Sequence, residues 1–353
     1  MISRDKTRQI SVGGVKIGGG ALVPVQSMCT TKTKDTKATI KQILGLYEAG
    51  CEIIRLAVPD MESASALSEI KANSPIPIVA DIHFDYRLAL EAALRGVDKI
   101  RINPGNIGDK SKVHEVAKQC KARGIPIRIG VNSGSVPKSV LEKHKGPTPQ
   151  ALIESAKIHA GLLEEFDFED ICLSLKSSSV TDTIKAYKLA AETFKYPLHI
   201  GVTESGTVYN GVIRSAVGIG TLLCMGIGDT LRVSLTADPE EEVKAGIAIL
   251  KAADLRKAGP RLISCPTCGR TEIDLISLAR EVESRLDGIN RNITVAVMGC
   301  VVNGPGEAKE ADYGIAGGKD CGLLFKKGEA VAKLPVSELS DALFELIESE
   351  REI

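Results

Sequence analysis

Residues 39–58 read TIKQILGLYEAGCEIIRLAV, and the two parts of this stretch obey different periods. Ile40, Ile43, Leu44 and Tyr47 recur at helical spacing, which predicts an amphipathic helix over Thr39–Ala49. Gly50 supplies the left-handed residue that closes it, and the β-prone run Glu52–Val58 starts at once. The same alternation recurs about eight times between Val23 and Asp254. Its strand candidates are Val23–Met28, Glu52–Val58, Ile76–His83, Lys99–Asn103, Ile127–Asn132, Asp170–Lys176, Leu198–Glu204 and Thr230–Leu235. Alternating strands and helices with short connections call for parallel strands and right-handed crossovers, and eight such units close most naturally as a TIM (β/α)8 barrel. An open doubly wound sheet is the alternative, but it would lack its glycine fingerprint. Gly13, Gly14, Gly18, Gly19 and Gly20 precede the first strand, so they read as turns, with the leading residues a hairpin plugging the barrel bottom.

The length of 353 residues suits a barrel of about 250 residues and a smaller domain of about 100, with expected spans 1–258 and 259–353. Aromatic residues make up 3% with no Trp, which removes the stacking platforms of single-stranded nucleic-acid binding; no nucleic-acid partner is expected. Lys plus Arg and Asp plus Glu number 45 each, so an anion site must come from local clustering. No apolar run of about 18 residues occurs, and Met1–Gln9 has no apolar core; the expectation is a cytoplasmic protein without membrane contact. Nine cysteines without an export signal point to thiol, metal or redox roles rather than a disulfide framework.

Polar residues two apart near a strand end point the same way. Asp81 and His83, Arg101 and Asn103, Arg128 and Asn132, and Arg232 and Ser234 obey that spacing or a multiple of it, and Arg55, Lys176 and Glu204 complete a ring at the carboxyl ends. Catalytic groups of TIM barrels collect there. A single rim arginine is more often a salt-bridged structural residue, but Arg55, Arg101, Arg128, Lys176 and Arg232 face only Asp81 and Glu204 in these motifs. That excess suits a phosphate or diphosphate, which guanidinium forks hold bidentately. Lys176 alone would also serve a Schiff-base aldolase. Glu204, the lone carboxylate at the seventh strand end, is the candidate proton donor. His83 reads equally as a satisfied rim histidine or a substrate contact, and His114, His144 and His159 read as solvated.

Beyond Gly259-Pro260 the pattern changes. Cys265-Pro-Thr-Cys268-Gly-Arg leads into a predicted helix over Ile273–Leu286, and Cys300 ends the β-prone run Ile293–Cys300 before Val-Val-Asn-Gly-Pro-Gly-Glu307. Cys-x-x-Cys at a turn places two thiolates on one metal or cluster, with Cys300 a third ligand. Structural zinc is the rival, with Cys321 available as a fourth ligand. Cys29, Cys51, Cys120, Cys172 and Cys224 read as buried small hydrophobes.

Val-Gln-Ser-Met-Cys-Thr-Thr (25–31), Ile-Arg-Ile-Asn-Pro-Gly-Asn (100–106), Ile-Gly-Val-Asn-Ser-Gly (129–134), Cys-Pro-Thr-Cys-Gly-Arg (265–270) and Met-Gly-Cys-Val-Val-Asn-Gly-Pro-Gly-Glu (298–307) together resemble the bacterial 4-hydroxy-3-methylbut-2-enyl diphosphate synthase family of the non-mevalonate isoprenoid pathway, nearly end to end. The resemblance implies a TIM barrel followed by a smaller α/β domain of sulfite/nitrite-reductase-like type. It implies a [4Fe-4S] cluster on Cys265, Cys268, Cys300 and Glu307, Glu307 being the harder, more exchangeable ligand and itself catalytic. It further implies 2-C-methyl-D-erythritol 2,4-cyclodiphosphate as substrate, flavodoxin or ferredoxin as electron donor, and a head-to-tail homodimer. Against this stand a phosphosugar aldolase or isomerase with a zinc tail, and a non-catalytic iron-sulfur sensor.

Overall fold

The structure is a computed structural model that describes residues 4–132, 134, 136–256, 259–289, 291–300 and 309–350. It divides into two compact units, Met1–Arg256 and Lys257–Ile353. The first unit begins with a hairpin, β1 (Ile10–Val12) and β2 (Val15–Ile17), in which Val12 pairs with Val15 across a two-residue loop. That loop needs positive φ at both positions, and Gly13 and Gly14 supply φ of 54° and 93°. Ile10, Val12 and Ile17 form one apolar cluster with Ile53, Val79 and Cys172, so the expected plug at the barrel floor is present.

Eight parallel strands follow: β3 (Gln26–Met28), β4 (Ile53–Ala57), β5 (Ile78–Asp81), β6 (Lys99–Ile102), β7 (Ile127–Asn132), β8 (Ile171–Lys176), β9 (His199–Ile200) and β10 (Thr230–Leu231). β3 to β8 form one six-stranded sheet and β9 pairs with β10. Single parallel bridges Leu173–Leu198 and Val25–Leu231 join the two pieces and close the ring. Several strands are shorter than the β-prone runs predicted, because a run's last polar residues leave the ladder for the mouth. Helices begin sharply: Asp35, Asp60, Asp85 and Asp109 each accept a backbone N–H of the first turn of α1 (Thr36–Glu48), α2 (Met61–Asn73), α3 (Tyr86–Leu94) and α4 (Lys110–Arg123). In α1 the buried residues are Thr39, Ile43 and Leu46, while Leu44 and Tyr47 are exposed. The predicted apolar face was therefore rotated, since this helix carries large side chains almost all round. The barrel unit also contains α5 (Lys138–His144), α6 (Pro149–Glu164), α7 (Val180–Thr193), α8 (Val208–Ser215), α9 (Thr221–Cys224) and α10 (Pro239–Ala252), with a π-turn at Ala216–Gly220 between α8 and α9.

Strand residues on the outer face, among them Ile54, Leu56, Ile78, Ile100, Ile102, Ile129 and Leu173, share one core with the helices. Near the start of β10, buried Asp229 accepts hydrogen bonds from the Leu198 N–H (2.8 Å) and the Thr7 hydroxyl (2.9 Å), which ties the leading segment to the barrel. Burial lifts its carboxyl from 3.8 to about 6, more than those hydrogen bonds lower it. The folded state then holds this proton more tightly than the unfolded chain, so the contribution is fullest below the unfolded pKa and is lost as pH rises through the folded one. Asp229→Asn is expected to remove that loss. Relative to the native chain, its urea-unfolding free energy should rise by about 2–3 kcal/mol between acid and neutral pH.

The second unit is a five-stranded mixed sheet of β11 (Arg261–Ser264), β12 (Thr294–Met298), β13 (Tyr313–Ala316), β14 (Cys321–Lys326) and β15 (Glu329–Pro335), in that order. β11 to β13 run parallel, and β13 to β15 antiparallel. Side-chain alternation sends Val295, Val297, Tyr313 and Ile315 to one face, where α11 (Leu275–Leu286) and α12 (Leu339–Ser349) cover them with Leu278, Val282, Leu343 and Phe344. Gly314 faces the other way, and the Phe325 ring lies 2.2 Å from where a Cβ would stand, so only glycine fits there.

Candidate active site

Pairing of β4, β5 and β6 sets Ala57, Asp81 and Arg101 in one row on the inner face, and Arg55 reaches up from one step below. Asp81, 3% exposed, is the hub. Arg55 Nη2 donates to its Oδ2 at 2.5 Å, Arg101 Nη1 donates to its Oδ1 at 3.1 Å, and His83 Nε2 lies 3.2 Å from Oδ2. Burial alone would raise this carboxyl, but the Arg55 charge, the His83 hydrogen bond and the Arg101 charge hold it well below the usual carboxylate range. Asp81 is therefore a fixed anion that aims two guanidiniums. His83 Nε2 lies within hydrogen-bonding distance of both Asp81 Oδ2 and Arg101 Nη1, as a rim histidine would, and its half-exposed ring lines the mouth.

The mouth is a cavity of about 360 Å³ lined by His83, Arg101, Asn103, Asn132, Lys176 and Glu204, together with Asn106, Gly134, Ser178 and Thr203. The volume suits a small polar ligand. Asn103 is buried; its Oδ1 accepts the Gly105 N–H at 3.2 Å and its Nδ2 has no partner among the described residues. Glu204 is exposed and sits in a loop four residues beyond the end of β9, with a left-handed φ of 54°. A non-glycine residue held there stores strain, a common mark of functional loops. At Gly201 a Cβ would lie 2.6 Å from the Arg232 carbonyl, so the backbones of β9 and β10 approach as only glycine allows.

Arg232 and Ser234 do not line this cavity. Arg232 instead forks onto Glu242 of α10 at 3.1–3.2 Å, and the Leu235 N–H also donates to Glu242 at 3.0 Å. The sequence reading counted only Asp81 and Glu204 opposite the five cations; Glu242 is a further carboxylate it missed, because in Pro239-Glu-Glu-Glu it reads as first-turn helix charge. A positive excess remains even so. Arg128 is 1% exposed with Nε and Nη1 unpartnered among the described residues, and burial plus the Arg55 and Arg101 charges pull it down to about 9. Lys176 is lowered well below its ordinary value by burial first, then by Arg128 and Arg232. Two side chains outside the site also depart from expectation. His159 is buried against Gly105, with burial lowering it to about 4, rather than solvated, and Cys224 is exposed rather than buried.

In the second unit, Cys265 follows β11 and Cys300 follows β12, two adjacent parallel strands in register at Ser264–Val297. The Gly299 N–H donates to Cys265 Sγ at 3.2 Å. Cys268 is exposed, its thiol lowered by hydrogen bonds from the Arg270 backbone and side chain. Cys321 opens β14 at the same end of the sheet, since Ala316 at the end of β13 pairs with Leu323. All four are free thiols. Among the described residues no three His, Cys, Asp or Glu side chains converge at single-ion spacing, and Glu307 lies outside the described residues.

A closed parallel barrel with a cationic, carboxylate-bearing mouth, followed by a mixed-sheet unit with thiols at one sheet end, defines a two-part α/β enzyme that handles a small anion. The chain belongs to the GcpE family: the GcpE TIM-barrel domain matches residues 7–247 and the GcpE protein C-terminal domain matches 261–349. It is 58% identical over 348 residues to the 4-hydroxy-3-methylbut-2-en-1-yl diphosphate synthase (flavodoxin) of Clostridium perfringens, covering 99% of this chain and 100% of that one. The protein of the same name in Geobacter sulfurreducens is 58% identical over 345 residues, 98% of each chain. In fold alone, the barrel is similar to Yersinia pestis dihydropteroate synthase, at 12% identity and a TM-score of 0.50 over 70% of this chain and 97% of that one.

Proposed function

We propose that this chain is an oxidoreductase that opens the ring of 2-C-methyl-D-erythritol 2,4-cyclodiphosphate and releases water, giving (E)-4-hydroxy-3-methylbut-2-enyl diphosphate in the non-mevalonate pathway, with two electrons from flavodoxin or a ferredoxin. The observation that carries the reading is the cavity at the barrel mouth, lined by Arg101, Lys176 and Glu204, in a chain 58% identical end to end to synthases of that name. Arg55, Arg101, Arg128 and Lys176 bind the diphosphate, with Arg55 and Arg101 aimed by Asp81. Asn103, Asn132 and His83 orient the carbon skeleton, and Arg232, held on Glu242, adds its charge from outside the cavity lining. Glu204 protonates the departing hydroxyl; its exposed position lets it exchange that proton with solvent between turnovers.

The thiols of Cys265, Cys268 and Cys300 fit a [4Fe-4S] cluster, with Glu307 as the fourth ligand. Each thiolate of such a cluster binds a different iron, and Cys265 and Cys300 follow the ends of two adjacent parallel strands. The Gly299 N–H at Cys265 Sγ is the kind of backbone hydrogen bond that tunes these sulfurs. When bound, the cluster supplies the electrons and a Lewis-acidic iron. The head-to-tail homodimer and a cytoplasmic location complete the proposal; no helix among the described residues is long and apolar enough to cross a membrane.

The test is turnover of the cyclodiphosphate by anaerobically purified enzyme with reduced flavodoxin, product being read by mass. Glu204→Gln is expected to lower kcat by about 10²- to 10⁴-fold, the usual contribution of a general acid, with KM nearly unchanged. A colourless, zinc-loaded protein that leaves the cyclodiphosphate intact would refute the reading.

A further inference from the structure

TIM-barrel interiors are ordinarily filled by branched aliphatic side chains. Here the strand register puts polar groups inside. Residues paired across parallel strands share a face, and Asp81 and Arg101 mark the inner one. Lys99 is two residues before Arg101 and pairs with Val79, which belongs to the floor cluster. Arg101 pairs with Arg128 and Arg128 with Cys172, and Thr230 pairs with His199. Gln26 pairs with Ile53, another floor residue, and so also faces inward.

Lys99 and His199 are 0% exposed, and Gln26 and Arg128 are 1% exposed. Lys99 Nζ, both ring nitrogens of His199, both amide atoms of Gln26, and Arg128 Nε and Nη1 lack partners among the described residues. Buried polar groups are nearly always satisfied, and a buried ammonium needs a counter-charge. Asp81 is committed to Arg55, Arg101 and His83, and Glu242 to Arg232. An anion entering from the mouth supplies what Lys99 and Arg128 lack.

We propose that the anion site extends below the mouth into the barrel interior, where Lys99 is its floor: one phosphoryl group of a diphosphate ester descends past Lys176 to Arg128 and accepts a charge-assisted hydrogen bond from Lys99 Nζ, flanked by Gln26 and His199. This rests on the diphosphate reading above and adds three residues to it. Burial, partly offset by Cys172, and the Arg128 and Arg55 charges pull Lys99 down to about 8, so the ligand-free interior disfavours its charge and a phosphate dianion restores it. His199 is held neutral by burial and the surrounding cations, and so offers one N–H donor without adding charge.

Lys99→Met and Lys99→Gln, the one isosteric and apolar, the other neutral and polar, test the proposal. Inorganic diphosphate is titrated into the cluster-loaded enzyme by calorimetry, with a urea-unfolding midpoint for each variant. The expected result is native binding that weakens by about ten- to a hundredfold in both variants, while the unfolding midpoint stays level or rises because an unpaired buried charge is gone. Native affinity in either folded variant overturns Lys99 as the floor and leaves the diphosphate reading intact. Absence of diphosphate binding in the unaltered enzyme overturns that reading, and the inference with it.

Discussion

Asp81→Asn is expected to destabilise the barrel by about 3–5 kcal/mol and to abolish turnover. The magnitude follows from what the carboxylate holds. Arg55, Arg101 and His83 all bond to it, it is 3% exposed, and Arg128 stands in the next position of the same row. An asparagine keeps the shape and presents one acceptor, but two guanidiniums then lie buried without a counter-charge. Urea unfolding at neutral pH reads the loss. The pH dependence has a definite sign: because the Asp81 carboxyl is held below its ordinary value, its contribution is present above the unfolded carboxylate pKa and disappears only in strong acid. A diphosphate analogue should restore part of the variant's stability, since a bound anion replaces the missing charge. A variant as stable as the native chain would show that Asp81 is not the hub of the mouth.

The second large effect is expected at Cys265. Its thiol sits at the end of β11 beside the Gly299 N–H, and Cys265→Ser replaces a soft thiolate by a hydroxyl that stays protonated at neutral pH. Iron should fall from about four per chain to near zero, with loss of the broad visible absorbance and of all turnover. The mixed sheet should survive, because Leu278, Val282, Leu343 and Phe344 form its core while Cys265 packs only at the edge as a partly buried side chain, and serine is nearly its size. Glu307→Ala provides the contrast: iron retained, turnover lost. Full iron content in Cys265→Ser would move the ligand set toward Cys321.

How far these sites were legible depends on which face of each strand matters. The barrel was readable because β-prone runs and amphipathic helical stretches alternate at even spacing, and the polar strand ends pointed to the mouth. The interior was not. Lys99-Ile-Arg-Ile alternates as any half-buried strand does, and ordinary patterning would send its charges outward to water. In a barrel wrapped by helices the isoleucines are needed outside, at Ile100 and Ile102, and the charges turn in. Glu242 was hidden for a related reason: a glutamate in a helix's first turn has a sufficient local explanation, and its long-range partner Arg232 leaves no trace in the spacing. His159 was misjudged because a lone histidine on a helix carries no sign of whether that face is covered. Cys-x-x-Cys alone suggested a metal or cluster site, whereas the proposed fourth ligand, Glu307, rests only on family resemblance and lies outside the described residues.

The ring closes through one bridge between Val25 and Leu231, and the Thr230 hydroxyl reaches the Pro24 carbonyl across 206 residues of chain. On the ribosome, that separation is a waiting time. At ordinary elongation rates roughly ten to forty seconds pass between emergence of the first barrel strand and arrival of its last neighbour. Throughout that interval β3 presents an unsatisfied edge to whatever nascent chain is near, a standing invitation to pair wrongly. Its brevity, three residues from Gln26 to Met28, limits how much a wrong partner gains.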